Sequence, residues 1–325
     1  MSRRLALITA LMAVMGTSAS AAPEALVLET SVALPDTGGR IDHMAVDLAR
    51  KRLFVAELGN GSIDIVDIAS RRVMHRISGL SEPQGIVYEP KSDQLVVASG
   101  GDGTVRFYSG QDYAPRAVLK LGDDADNMRL DPRNGRLVAG YGDGALAVID
   151  PQRAQKLRDI PMPGHPESFR FSGAQVFVNV PDAGKIVAAD LDSGKVTASW
   201  SPGKLAANFP MILDDAGHIA VVFRRPAMLG LFDAATGHPV AVTETCHDAD
   251  DLFFDAKRDR FYVSCGEGVI DVFKAGSTPA RLARIATVSG ARTSLFVPEL
   301  DRLFVAERAG LMGSNASLAI YRPAP

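Results

Sequence analysis

Helical periodicity is missing from this chain. Past residue 22, no stretch repeats its apolar residues with a period near 3.6. That argues against helix bundles and against layers of helix on sheet. Long hydrophobic runs are also missing beyond the N-terminus, so nothing there matches a membrane span. Cysteine is scarce, with 2 residues in 325, and there is no Cys-x-x-Cys pair. Basic charge is not in excess: 35 Lys and Arg stand against 38 Asp and Glu, which argues against nucleic acid as a partner. No glycine-rich loop fits a phosphate cradle, and no Gly-x-Ser-x-Gly elbow offers a serine nucleophile.

What the chain does have is a repeat. The stretch Asp123-Asp124-Ala125-Asp126-Asn127-Met128-Arg129-Leu130-Asp131-Pro132 sets acids and an amide before a short apolar run. His247-Asp248-Ala249-Asp250-Asp251-Leu252-Phe253-Phe254-Asp255 is a near copy. Weaker copies end at other positions, giving markers at 47, 89, 131, 172, 214, 255 and 298. The spacing stays between 41 and 43 residues, the length of a four-stranded propeller blade. In the first repeat the strands are expected at Asp42–Asp47, Leu53–Glu57, Ser62–Ile68 and Val73–Ile77. Their apolar residues are consecutive, as in strands covered on both faces.

The seventh repeat supplies Thr293–Pro298, Leu303–Glu307 and Leu318–Arg322, then stops one strand short. Leu26–Leu34 is a strand without a repeat of its own. Placed at the outside of the last blade, it closes the ring and removes two open edges. The expectation is an all-β, seven-bladed β-propeller of four-stranded blades, a single domain over residues 22–325.

Residues 1–21 read separately. Arg3 and Arg4 precede the apolar run Leu5–Gly16, and Ala19-Ser20-Ala21 follows, the pattern of a cleaved signal peptide. Its loss would take the net charge from −3 to −5. The mature protein is then expected in the periplasm or outside the cell, as a monomer with no transmembrane segment. Cys246 and Cys265 flank the sixth blade's first two strands at one end, so a disulfide is reasonable there. Free buried thiols and a metal thiolate remain the alternatives.

The period, the Leu303-Phe304-Val305-Ala306-Glu307 type of second strand and the export signal together resemble the YVTN-repeat propellers of bacterial secreted proteins. The nearest approach to that four-letter motif is Phe261-Tyr262-Val263-Ser264. The resemblance spans about residues 26–322 and implies a seven-bladed ring. It brings no catalytic motif that can be carried onto this chain, although related propellers include lactonases and a lyase.

Function in such a fold belongs to the loops at the channel mouth. Five residues before each marker stand Asp42, Gln84, Asp126, Glu167, Phe209, Asp250 and Thr293. One position away lie His43, Asn127, Asn208, Asp251 and Arg292. Carboxylates gathered at one axis repel, so either some hold protons or a cation neutralises them. The expected ligand-binding set is Asp42, His43, Gln84, Asp126, Asn127, Glu167, Asn208, Asp250 and Arg292. Within it, Asp126, Glu167, Asn208 and Asp250 are the expected ligands of a hard divalent cation, Ca²⁺ or Mg²⁺. His43 is a candidate base and Arg292 a candidate clamp for a substrate carboxylate.

His165 reads as a turn residue at the same mouth. Asp47, Asp131, Asp214 and Asp255 read as turn caps. Two functions follow from the cluster. One is a binding module for a small ligand, a cation or a protein partner. The other is a metal-assisted hydrolase or lyase.

Overall fold

The computed structural model describes residues 25–310 and 315–325. The expected signal peptide, residues 1–21, lies outside them. Seven antiparallel four-stranded sheets are present, each a consecutive up-and-down meander except the last. The first blade is β2 (Met44–Asp47), β3 (Arg52–Glu57), β4 (Ser62–Asp67) and β5 (Arg72–Ser78). The expected strands of that repeat match these to within two residues.

The seventh blade closes as the chain ends suggest. The strands β26 (Thr293–Val297), β27 (Arg302–Glu307) and β28 (Ala316–Pro323) take β1 (Leu26–Leu34) as their outer strand. Leu26 pairs with Pro323 and Leu34 with Ala316 across that seam. The two ends of the chain are thus held by one ladder of backbone hydrogen bonds.

Packing explains the apolar pattern. Seven hydrophobic clusters are present among the described residues, and each joins two neighbouring sheets. One of them joins Val32, Leu34, Phe304 and Leu318 of the last blade to Leu53, Val55 and Val66 of the first. Second and third strands are sandwiched and buried along their length, as in β3. Fourth strands lie at the rim and alternate between half-buried and exposed residues, as in β9 (Pro115–Lys120). The consecutive apolar runs of the second and third strands are thus accounted for, and the rim strands, less covered by neighbouring blades, show alternation instead.

The remaining markers do local work. Asp47, Asp131 and Asp214 each accept a backbone N–H two or three residues on, from Arg50, Arg133 and Ala216. Cys246 and Cys265 form a disulfide, with Cα atoms 5.9 Å apart. It fastens the entry of β22 (Ala249–Asp255) to the end of β23 (Arg260–Cys265). Among the described residues, no helix is long and apolar enough to cross a membrane.

Candidate binding site at the channel mouth

One backbone device brings the acids to the hub. Ahead of three of the first strands, the ladder to the second strand continues by a further pair of bonds. Asp42 N–H donates to Ala56 O at 2.7 Å, and Ala56 N–H to His43 O at 3.0 Å. Asp126 N–H donates likewise to Gly140 O, and Glu167 N–H to Asn179 O. These residues therefore occupy fixed positions although they precede regular strand. Gly85 allows close approach beside them: a Cβ there would lie 2.0 Å from the Asp126 carbonyl oxygen.

Two connected spaces result. A small inner chamber of about 30 Å³ touches Asp42, His43, Asp126, Asn127, Glu167, Asp250, Asp251 and Arg129. That is room for a water or an ion and little else. An outer bowl of about 410 Å³ is bounded by Arg40, Gln84, Asp124, Asp126, His165, Glu167, Arg224, Asp250 and Arg292. Asp126, Glu167 and Asp250 border both spaces.

The two sides of the mouth differ in charge. On one side, arginines answer the acids. Asp42 forms ion pairs with Arg40 at 2.7 Å and His43 at 2.6 Å. Burial disfavours charge on Asp42, but His43, Arg40 and Arg292 outweigh it and hold its carboxyl low. Burial likewise opposes the charge on His43, and Asp42, followed by Asp126 and Asp251, overcomes it and raises the imidazole well above its usual range. Asp250 is gripped by Arg224, and by Arg292 at 3.0 Å. Arg292 also reaches Asp248 at 2.7 Å. Arg224 itself is braced over the Phe209 ring, 3.9 Å from its centroid.

On the other side no arginine pairs with Asp124, Asp126 or Glu167 among the described residues. His165 stands in the middle. Its Nδ1 lies 2.7 Å from Gly142 O, which places the proton on Nδ1 and turns Nε2 toward Asp126 Oδ2 at 3.9 Å. Asp126 is 7% exposed, and its Oδ1 is buried without a hydrogen-bond partner among the described residues. Burial, and then the Asp126 charge, push Glu167 up to about 8. Asp126, His165 and Glu167 each offer a ligand atom, all within 4.8 Å of one another; Asp42, His43 and Asp126 form a second such group. The 3.9 Å gap is too wide for a hydrogen bond, yet two ligands on one ion with bonds of ~2.0–2.2 Å would span it.

Most of the expected ligand set meets here. Asp42, His43, Asp126, Asn127, Glu167 and Asp250 line the chamber, and Gln84 and Arg292 the bowl. Asn208 borders neither; it is fully buried, and its amide donates to Asn179 Oδ1 at 3.1 Å and to Lys185 O at 2.9 Å. His165 is more than a turn residue, because its ring enters the acidic group. Arg40 and Arg224 escape a reading by period. Arg40 sits in a loop before the first repeat, and Arg224 ends a second strand, β19 (His218–Arg225). Second-strand ends converge on this same mouth, which was the available signal.

No family model matches the chain, and no curated protein matches it in sequence. Solved structures do match in shape. A chain of the mitotic checkpoint complex superposes with a TM-score of 0.78 at 14% identity, covering 100% of this chain and 99% of that one. A chain of Kuenenia stuttgartiensis hydrazine synthase gives 0.77 at 16% identity, covering 92% and 99%. At such identities the likeness concerns the seven-bladed fold alone.

Proposed function

We propose that this protein is an exported binding module that takes a divalent cation at the channel mouth, with a small ligand in the bowl above it. One observation carries the reading. Asp126, His165 and Glu167 gather donor atoms within 4.8 Å without an arginine among them, while Asp42 and Asp250 are each paired with arginine. Two carboxylates and one imidazole favour Zn²⁺ or Mn²⁺ over the all-oxygen preference of Ca²⁺ and Mg²⁺. Gln84, Arg40 and Arg292 border the bowl and would orient the ligand's polar groups. Export is supported by the signal-like pattern of residues 1–21 and fits a disulfide-bearing protein. Membership of the YVTN-repeat family belongs to the same proposal, on the 42-residue period and the second-strand motif.

Calorimetric titration of the chelator-treated mature protein with Mn²⁺, Zn²⁺, Ca²⁺ and Mg²⁺ tests this. The expected result is one site for a transition metal, weakened roughly 100-fold in Asp126→Asn. No heat and no change in melting temperature with any of the four ions would remove the reading.

The bowl also favours a second reading, metal-assisted hydrolysis or elimination. Three protein donors leave a coordination position open to the 410 Å³ space, and such an ion would supply Lewis acidity there. His43 would enter as a proton donor, since Asp42 keeps it protonated. Turnover of a lactone panel by the metal-loaded protein, absent in His43→Gln, is the outcome that would favour this reading.

A further inference from the structure

Beyond the inner chamber the channel holds two arginines, one of which, Arg129, also borders that chamber. Arg129 and Arg170 stand two residues before the markers of adjacent blades, on β10 (Met128–Leu130) and β14 (Phe169–Ser172). Both converge on one atom: Arg129 Nε and Arg170 Nη1 each donate to Phe169 O at 2.8 Å. Arg170 adds one bond to Ser168 Oγ at 3.0 Å. Neither guanidinium forms an ion pair among the described residues. Some half-buried arginines of this chain are matched with carboxylates, as Arg76 is with Asp64 and Arg258 with Asp255, and others, such as Arg52 and Arg260, bond to hydroxyl or carbonyl oxygens. Here two like charges are instead held side by side. Burial disfavours the charge on both, Arg129 disfavours it further on Arg170, and the nearby Asp251 carboxylate favours it on each without overcoming burial.

Asp251 acts on the pair only at a distance, so among the described residues no carboxylate contacts either guanidinium, and direct contacts for an anion stay open. The space for one is present. A cavity of about 460 Å³ opens beside both arginines, with Ile86, Val87, Leu130 and Phe171 on its walls. That volume is in the range of small-molecule sites. No carboxylate borders it, in contrast to the mouth. We propose that this end of the channel is a second binding site, for an organic anion with a carboxylate or phosphate head and a short apolar body. The head takes the free guanidinium nitrogens, and the body covers the apolar wall. Because Arg129 also borders the inner chamber, the site is tested without a cation at the mouth.

Thermal melts in the presence of chelator test it, with octanoate, octyl phosphate and 1-octanol as probes. At a hundredfold excess over Kd, one or both anions should raise the midpoint by about 4 °C. The alcohol should not, and the shift should vanish in the double variant Arg129→Met with Arg170→Met. Which anion acts separates carboxylate from phosphate recognition. The site is overturned if neither anion shifts the melt, if octanol does so equally, or if the double variant keeps the shift. Should that variant not fold, phenylglyoxal labelling of the wild-type protein decides: octanoate or octyl phosphate must protect Arg129 and Arg170, and absence of protection from both refutes the site.

Discussion

Glu167 is the residue whose titration reports on the mouth. Its carboxyl stands at about 8 in the folded protein against an ordinary 4.5, because burial and the Asp126 charge disfavour ionisation. A raised folded-state value means the native protein holds a proton that the unfolded chain has lost. The associated stability is present below pH 4.5 and drains away as pH rises through about 8. His165, raised to about 9 chiefly by Asp126 and the Gly142 carbonyl against the effect of burial, acts in the same direction at higher pH. The cation-free protein should therefore melt at lower temperature at pH 8.5 than at pH 5.5, roughly the two sides of this window. Glu167→Gln should flatten that dependence, and added Mn²⁺ or Zn²⁺ should restore stability at the alkaline end. Melting curves across pH, with and without chelator, check all three.

Substitution separates ligands from supports. His165→Ala and Asp126→Asn should each weaken cation affinity roughly 100-fold. Asn208→Ala should leave that affinity alone and instead cost on the order of 1–3 kcal/mol of stability, by stranding its partners Asn179 and Lys185 inside the blade. Titration calorimetry and denaturant melts on the same variants give both numbers. The difference lies in a single blade. Asn208 falls one residue off the acidic position in the sequence, and an irregular register between Asn208 and Met211 turns its side chain into the sheet. A period counts residues and does not see such an irregularity.

Among the elements, β1 matters out of proportion to its sequence. It has no repeat around it, yet Leu26, Val32 and Leu34 are buried at 1%, 2% and 0% exposure. Leu34→Ala should cost roughly 2–5 kcal/mol, as for other buried leucines. The disulfide is a second fastening: its ends lie 19 residues apart, and Cys246→Ser with Cys265→Ser should cost about 3 kcal/mol. Urea unfolding of each variant measures both. Strand spans were legible because second strands such as Arg302–Glu307 are apolar without interruption and end in turns. The disulfide was legible only as one of three options, since spacing alone does not orient two thiols.

At the scale of the molecule, closure is what makes a site at all. Seven starts of first strands meet only if the last blade joins the first, and the packing of Leu34 and Phe304 against Leu53 is that joint. The period and the orphan N-terminal strand reveal this much in sequence. The gathering of acids at the hub follows from it. Their division into a paired side and an unpaired side does not, because Arg40 and Arg224 come from a loop and a second strand that the marker does not index. Asp42 and Asp250 look like Asp126 in the repeat, and only the arginines beside them tell the three apart.

The most direct test is a crystal of the mature protein soaked in Mn²⁺ and measured for anomalous scattering. The account predicts a single strong peak at the channel mouth, within ligand distance of Asp126, His165 Nε2 and Glu167. A mouth without a peak at saturating Mn²⁺, or a peak held by other residues with the His165 ring turned away, would contradict it.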